Sequence, residues 1–254
     1  MEKILEVRNI QVRYGEKIVL DDISFDVNKG EIFLIVGGSG CGKTTLLKTL
    51  CGLLIPSKGS IKIMGQEITR LDEEEMAKIQ QTIGIAFQSS GLINSITVGE
   101  NVALPLKEYG KVSQELISEV VRIKLSLVGL AGVEELMPEE LSGGMKKRAG
   151  LARALALDPP LVFFDEPSAG LDPIIAVELD ELILSVRDLL GTTFVIVSHE
   201  LESIKKIADR VLMLDEGKSI FCGTLEEVEK TDISRVKQFF QRKPNLERQI
   251  VAYR

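Results

Sequence analysis

Two stretches of this chain have the composition and spacing of phosphate cradles. Gly37-Gly38-Ser39-Gly40-Cys41-Gly42-Lys43-Thr44 satisfies the spacing G-x-x-x-x-G-K-[S/T], in which backbone amides and the start of a helix surround a chain of phosphates. Glycines are needed where side chains would block the backbone's approach. Lys43 is placed to neutralise the β- and γ-phosphates, the Thr44 hydroxyl to ligate Mg²⁺, and Thr45 to add a further contact. The second stretch, Leu141-Ser142-Gly143-Gly144-Met145, opens another helix-rich run, and Ser142, Gly143 and Gly144 would offer an anion free amides at a positive helix end. Read alone, that stretch is also an ordinary serine-capped helix after a glycine turn.

A single pair of acids accompanies the two cradles. Phe163-Phe164-Asp165-Glu166 ends an apolar strand, beside the crevice in which α/β sheets bind ligands. Asp165 is suited to hold Mg²⁺ through water, and Glu166 to orient or deprotonate the water that attacks the γ-phosphate. Two cradles with one hydrolytic pair suggest half of a two-chain engine, in which chains facing head to tail complete each other's sites.

Three further residues gain meaning from this setting. His199, the only histidine, follows the apolar run Phe194 to Val197, where it is either a structural residue or a hydrogen-bond partner for the γ-phosphate and Glu166. Gln88, after Ile83 to Phe87, could reach Mg²⁺ or the attacking water, and by itself reads equally as a surface residue. Tyr14 before Gly15 offers an aromatic face to adenine, or simply packs. One histidine and scattered cysteines lack the spacing of a zinc site. The run Lys146-Lys147-Arg148 reads as a solvated helix face.

These residues need elements to hold them. Ile4 to Ser24 reads as antiparallel strands broken at Tyr14-Gly15 and at Asp21-Asp22. Glu31 to Val36 is a nearly unbroken apolar strand, and Leu46, Leu47, Leu50 and Leu54 then recur at helical spacing. Strand chemistry returns at Ser60 to Met64, and Asp72 to Gln81 is acidic and favours helix. Between about 89 and 158 an inserted helical lobe is expected, with Leu116, Val120, Ile123 and Leu127 as an apolar stripe behind a Ser113 cap. Leu161 to Phe164 and Phe194 to Val197 are further strands separated by helix from Ile175 to Leu190, which predicts a mostly parallel sheet with crossover helices. Val211 to Phe221 reads as a closing hairpin, and a basic tail follows Thr231.

Bulk properties narrow the field. The chain has 254 residues, enough for one large core or a core with a smaller lobe. A net charge of -7 argues against nucleic acid as a partner. Three cysteines, one of them inside the phosphate loop, point to a reducing compartment, and the cytoplasm is the expected location. The start of the chain lacks the apolar stretch of a secretory signal. No apolar run approaches the roughly 20 residues that cross a bilayer, so a membrane role would have to come through another subunit.

In their order, these residues resemble the nucleotide-binding subunit of an ABC transporter, over residues 1 to about 230. The phosphate loop is Gly37 to Thr44, Gln88 the Q-loop, Leu141 to Met145 the signature, Asp165-Glu166 the Walker B acids, Ser168-Ala169-Gly170-Leu171-Asp172 the D-loop and His199 the switch histidine. The resemblance implies an α/β phosphate-loop ATPase core with a mostly parallel sheet, an N-terminal antiparallel β lobe and an inserted helical signature lobe. It implies a homodimer that sandwiches ATP and Mg²⁺ between one phosphate loop and the other chain's signature. An ATPase domain over 1–232 and a C-terminal extension over 233–254 follow from it.

Within that family the chain is similar to the Mla-type phospholipid transport ATPases. Phe87 to Leu92, Asn101 to Leu106, Leu136-Met137-Pro138 with the signature, and Ser234 to Phe240 carry the likeness, and Met145 replaces the glutamine usual elsewhere. This likeness implies an integral MlaE-like permease contacted near Leu92 to Val98, an MCE-domain, MlaD-like protein and a small STAS-type subunit. It places the chain at the cytoplasmic face of the inner membrane, with a tail that can cross to the neighbouring subunit. ATPases of lipoprotein release, of solute import and of soluble iron-sulfur assembly are the alternatives.

Overall fold

A computed structural model describes residues 2–109 and 112–242. Two sheets organise them. β1 (Lys3–Tyr14) pairs antiparallel with β2 (Lys17–Asn28) and with β4 (Lys58–Ile63), and β5 (Gln66–Glu67) completes this sheet in the order β2-β1-β4-β5. The second sheet has the order β10-β9-β3-β8-β7-β6, built from β3 (Ile32–Gly37), β6 (Ile83–Ala86), β7 (Leu161–Asp165), β8 (Thr193–Val197), β9 (Arg210–Asp215) and β10 (Lys218–Thr224). All its pairings are parallel except the β9–β10 hairpin, as the sequence predicts.

β3, β7 and β8 are buried along their whole length, which is why they read as unbroken apolar runs rather than alternating ones. Their side chains nevertheless alternate between two cores. Ile32, Leu34, Val162 and Phe164 face the helical side, while Phe33, Ile35, Phe163 and Val197 face the antiparallel sheet. Phe25 from that sheet stacks on Phe33 with centroids 5.2 Å apart.

Nine α-helices surround the sheets among the described residues. α1 (Lys43–Leu50) follows β3, and α2 (Glu73–Gln80) starts at a capping box formed by Asp72 and Glu75. α3 (Val98–Tyr109), α4 (Gln114–Leu127) and α5 (Gly143–Ala154) lie between β6 and β7, and α4 starts at the predicted Ser113 cap. α6 (Pro173–Leu190) crosses from β7 to β8 between an Asp172 cap and Gly191, which adopts φ 67°. α7 (Leu201–Ile207), α8 (Leu225–Lys230) and α9 (Ser234–Phe240) complete the order. No helix among the described residues is long and apolar enough to cross a membrane.

Three expectations are corrected. Strand β2 is not broken at Asp21-Asp22 but bulged: Asp22 takes φ 54°, and its carboxylate accepts a 2.7 Å hydrogen bond from Asn9 Nδ2 across a register shift. On α4 two of the four expected stripe residues, Leu116 and Ile123, are half exposed; Val120 and Leu127 pack partly buried against the core, and Ile117, Val121 and Leu125 enter it fully. The run Lys146-Lys147-Arg148 is not a solvated face, because Lys147 is buried and its neighbours are half-buried.

Candidate functional site

The loop between β3 and α1 is shaped by two crowded glycines. A Cβ at Gly37, whose φ is 146°, would lie 2.3 Å from the Leu214 carbonyl oxygen, and one at Gly42, φ 106°, would lie 2.6 Å from Leu20 Cδ2. Packing within the protein therefore requires both, whereas Gly38 and Gly40 face open space. No side chain caps the start of α1, so its first amides remain available to an anion. Lys43 is folded back over the loop, donating to the Gly37 carbonyl at 3.0 Å and the Gly38 carbonyl at 3.1 Å.

Above this loop lies a pocket of about 640 Å³. It is lined by Gly37, Gly38, Ser39, Gly40, Gly42, Lys43, Thr44 and Thr45, and from more distant segments by Val19, Gln88, Glu166, His199 and Phe239. The parallel order of the sheet explains the convergence: β3, β7 and β8 are neighbours, so the segments leaving their C-terminal ends meet at one edge.

Glu166 sits immediately beyond β7 with φ 47°, a region that side-chain-bearing residues seldom occupy. Its backbone is held on both sides. The Glu166 amide donates to the Val197 carbonyl at 2.9 Å, and the Glu166 carbonyl accepts from Ala169 N at 3.2 Å and from Lys147 Nζ at 2.9 Å. Its carboxylate meets His199 Nδ1 at 2.7 Å, while His199 Nε2 is 3.3 Å from Glu200 Oε1.

Asp165 is buried, and its Oδ1 has no hydrogen-bond partner among the described residues. Burial, joined by the neighbouring Glu166 charge, pushes this carboxyl above the usual range, against the pull of Lys147, Lys48 and Lys43. A buried carboxylate oxygen without a donor suits a cation held through water. Asp165 does not itself line the pocket, but Thr44, Gln88 and its neighbour Glu166 do, and this set of oxygen donors fits a Mg²⁺ ion.

Besides Asp165, five predicted residues are absent from the pocket lining. Tyr14 is half exposed at the end of β1 and does not line the pocket; Val19 is the lining residue that β2 supplies. Cys41, within the loop, is buried with its sulfur against Gly37. Ser142, Gly143 and Gly144 are also absent from the pocket lining. Ser142 caps α5 by accepting from Met145 N at 3.3 Å, and Gly144 packs so closely on α6 that a Cβ would meet Ile175 Cγ2 at 2.5 Å. The second cradle thus belongs to no pocket around this chain's own phosphate loop.

Besides Val19, two residues of the site are not legible in the sequence. Lys147 donates to the carbonyls of both Gln88 and Glu166; burial lowers its ammonium, opposed by the Asp165 and Glu166 charges. Phe239 on α9 reaches the pocket because Arg235 grips Asp215, at the end of β9, at 2.9 and 3.1 Å. The basic tail concealed this aromatic: α9 is docked by the Arg235–Asp215 pairing across twenty residues and by Val236, which is fully buried in the core.

A glycine loop between a buried strand and a helix, with an acid and a histidine at the ends of the two adjacent strands, defines the class of phosphate-loop ATPases. The ABC transporter family matches residues 20–169. This chain belongs to that family and is an ATPase. It is 41% identical to the intermembrane phospholipid transport system ATP-binding protein MlaF of Haemophilus influenzae, over 94% of this chain and 91% of that protein. It is 38% identical to the probable ribonucleotide transport ATP-binding protein mkl of Mycobacterium leprae, over 92% of this chain and 68% of that protein. A bacterial ABC transporter cassette solved as a dimer superposes with a TM-score of 0.81 at 30% identity, over 87% of this chain and 98% of that one.

Proposed function

We propose that the chain is the ATP-hydrolysing subunit of a phospholipid transport system of the Mla type, working as a homodimer. The observation that carries the dimer is the separation of the two cradles: the pocket gathers Lys43, Gln88, Glu166 and His199 but leaves Ser142 to Gly144 facing elsewhere. ATP binds between Gly37 to Thr45 of one chain and Ser142 to Gly144 of its partner copy. Thr44, Gln88 and, through water, Asp165 would hold Mg²⁺, which would neutralise phosphate charge when bound.

The remaining work falls to this chain's own side chains. Glu166 accepts a proton from the attacking water, and His199 keeps the carboxylate aimed and touches the γ-phosphate. Lys43, now bonded to two loop carbonyls, turns to the phosphates as they displace those weaker acceptors. Gln88 senses the same phosphate from the end of β6. Tyr14, outside the pocket at the end of β1, packs on an adenine that extends past Val19.

The likeness to MlaF supports the cargo and the partners. An integral MlaE-like permease docks on the face that carries half-exposed Ile93 and the open cleft between α3 and α4, lined by Thr97, Ala103, Ile117 and Val121. An MCE-domain protein and a small STAS-type subunit complete the complex, which holds this chain at the cytoplasmic face of the inner membrane. Residues 1–232 form the ATPase domain, and 233–254 an extension of which 243–254 lie outside the described residues.

Reconstitution with the permease and the MCE protein tests this reading. ATP should drive the transfer of labelled phospholipid between vesicles, with no transfer from Lys43→Ala chains. ATP-driven movement of a labelled ribonucleotide instead would overturn the phospholipid assignment.

A further inference from the structure

Helix α5, which opens at the second cradle, is tied along one face to the segment that carries Gln88. Lys147 donates to the Gln88 carbonyl. One turn on, a Cβ at Gly150 would come within 2.9 Å of the Ser90 carbonyl oxygen, so that backbone packs directly on the helix. A further turn on, Arg153 donates to the Gly91 carbonyl at 2.8 Å. Positions 147, 150 and 153 share one helical face. Of these contacts, Lys147 alone also reaches the hydrolytic acid, through the Glu166 carbonyl at 2.9 Å.

A buried ammonium is expensive to desolvate unless it is well bonded, and here its acceptors are the main chains of two segments lining the nucleotide pocket. Those acceptors lie 59 and 19 residues away in sequence. Ser142 to Gly144 stand one turn before Lys147 on the same helix, so any shift of Gln88 or Glu166 is felt where the second cradle is presented. We propose that Lys147 is a positioning residue that couples the state of a chain's own nucleotide pocket to the cradle that the same chain offers its partner. The inference rests on the two-chain site proposed above, and it assigns Lys147 an effect in trans.

Mixed dimers separate the two. A dimer of Ser142→Arg and Lys43→Ala chains has one intact site, whose phosphate loop comes from the first chain and whose second cradle comes from the second. Lys147→Met placed in the Lys43→Ala chain should lower that site's kcat about tenfold or more, the worth of one charge-assisted hydrogen bond, with little change in KM. Lys147→Arg in the same chain, which keeps charge and donors, should recover most of the activity. Thermal midpoints of both variants report that the chain is folded. Unchanged kcat with Lys147→Met in the cradle-donating chain would overturn the proposal, and so would a loss that Lys147→Arg does not relieve. Inactivity of the parental mixed dimer, by contrast, would remove the two-chain site itself and the coupling with it.

Discussion

Glu166 and His199 stand 33 residues apart in sequence and meet at 2.7 Å, Oε2 to Nδ1, at the ends of the paired strands β7 and β8. The Glu166 amide bonds to the Val197 carbonyl two residues before the histidine, so the same strand pairing that builds the core fixes the acid against its partner. The positive φ of Glu166 is sustained by backbone bonds on both sides, and its carboxylate is held against His199.

Glu166→Gln should reduce hydrolysis at least about 100-fold, the lower range for loss of a general base. Nucleotide binding should persist, and closed dimers should accumulate with ATP, visible by size-exclusion chromatography. Turnover at the parental rate would remove Glu166 from the base role.

Lys43→Ala should weaken ATP binding by about 10- to 100-fold, since charge-assisted hydrogen bonds to phosphate are lost. Titration with a fluorescent ATP analogue measures this. The fold should survive, because Lys43 bonds only to two carbonyls of its own loop.

Phe239→Ala should raise the KM for ATP about two- to tenfold, as expected when one aromatic wall is removed from a binding pocket. Arg235→Ala should act in the same direction, because it releases α9 from Asp215. An unchanged KM in both variants would place α9 outside the nucleotide site.

Asp180, on α6, is buried, and burial raises its carboxyl above the usual range despite the Ser203 hydrogen bond and Lys206. A raised folded-state value means that the protonated form is favoured in the fold; the associated stability is present below the unfolded value near 3.8 and is lost as pH rises through the folded one. Asp180→Asn should therefore raise the thermal midpoint at pH 7, with the gain shrinking toward pH 4. Scanning calorimetry across that range checks the sign.

The sequence exposes what is local and periodic. β3, its glycine loop and α1 are legible because a fully buried strand, a phosphate-loop spacing and a leucine repeat are all short-range patterns. Helix α4 shows where such patterns stop: Leu116-Val120-Ile123 and Ile117-Val121-Leu125 are both apolar at helical three- and four-residue steps, and only packing against α3 and α5 buries the second fully while leaving Leu116 and Ile123 half exposed. Lys147 escaped notice for a related reason. A charge run is normally solvated, and nothing within a helix announces that one ammonium will find carbonyl acceptors 59 and 19 residues away. At Asp22 the turn-like dipeptide disguised a bulge, since its Asn9 partner lies on another strand.

The claim that one nucleotide is clasped by two chains is tested most directly by complementation. Ser142→Arg and Lys43→Ala homodimers should each be nearly inactive, whereas mixing the two chains should restore ATP hydrolysis through the single site in which both cradles are intact. If the mixture hydrolyses no faster than either homodimer alone, the cradles are not shared and the account fails.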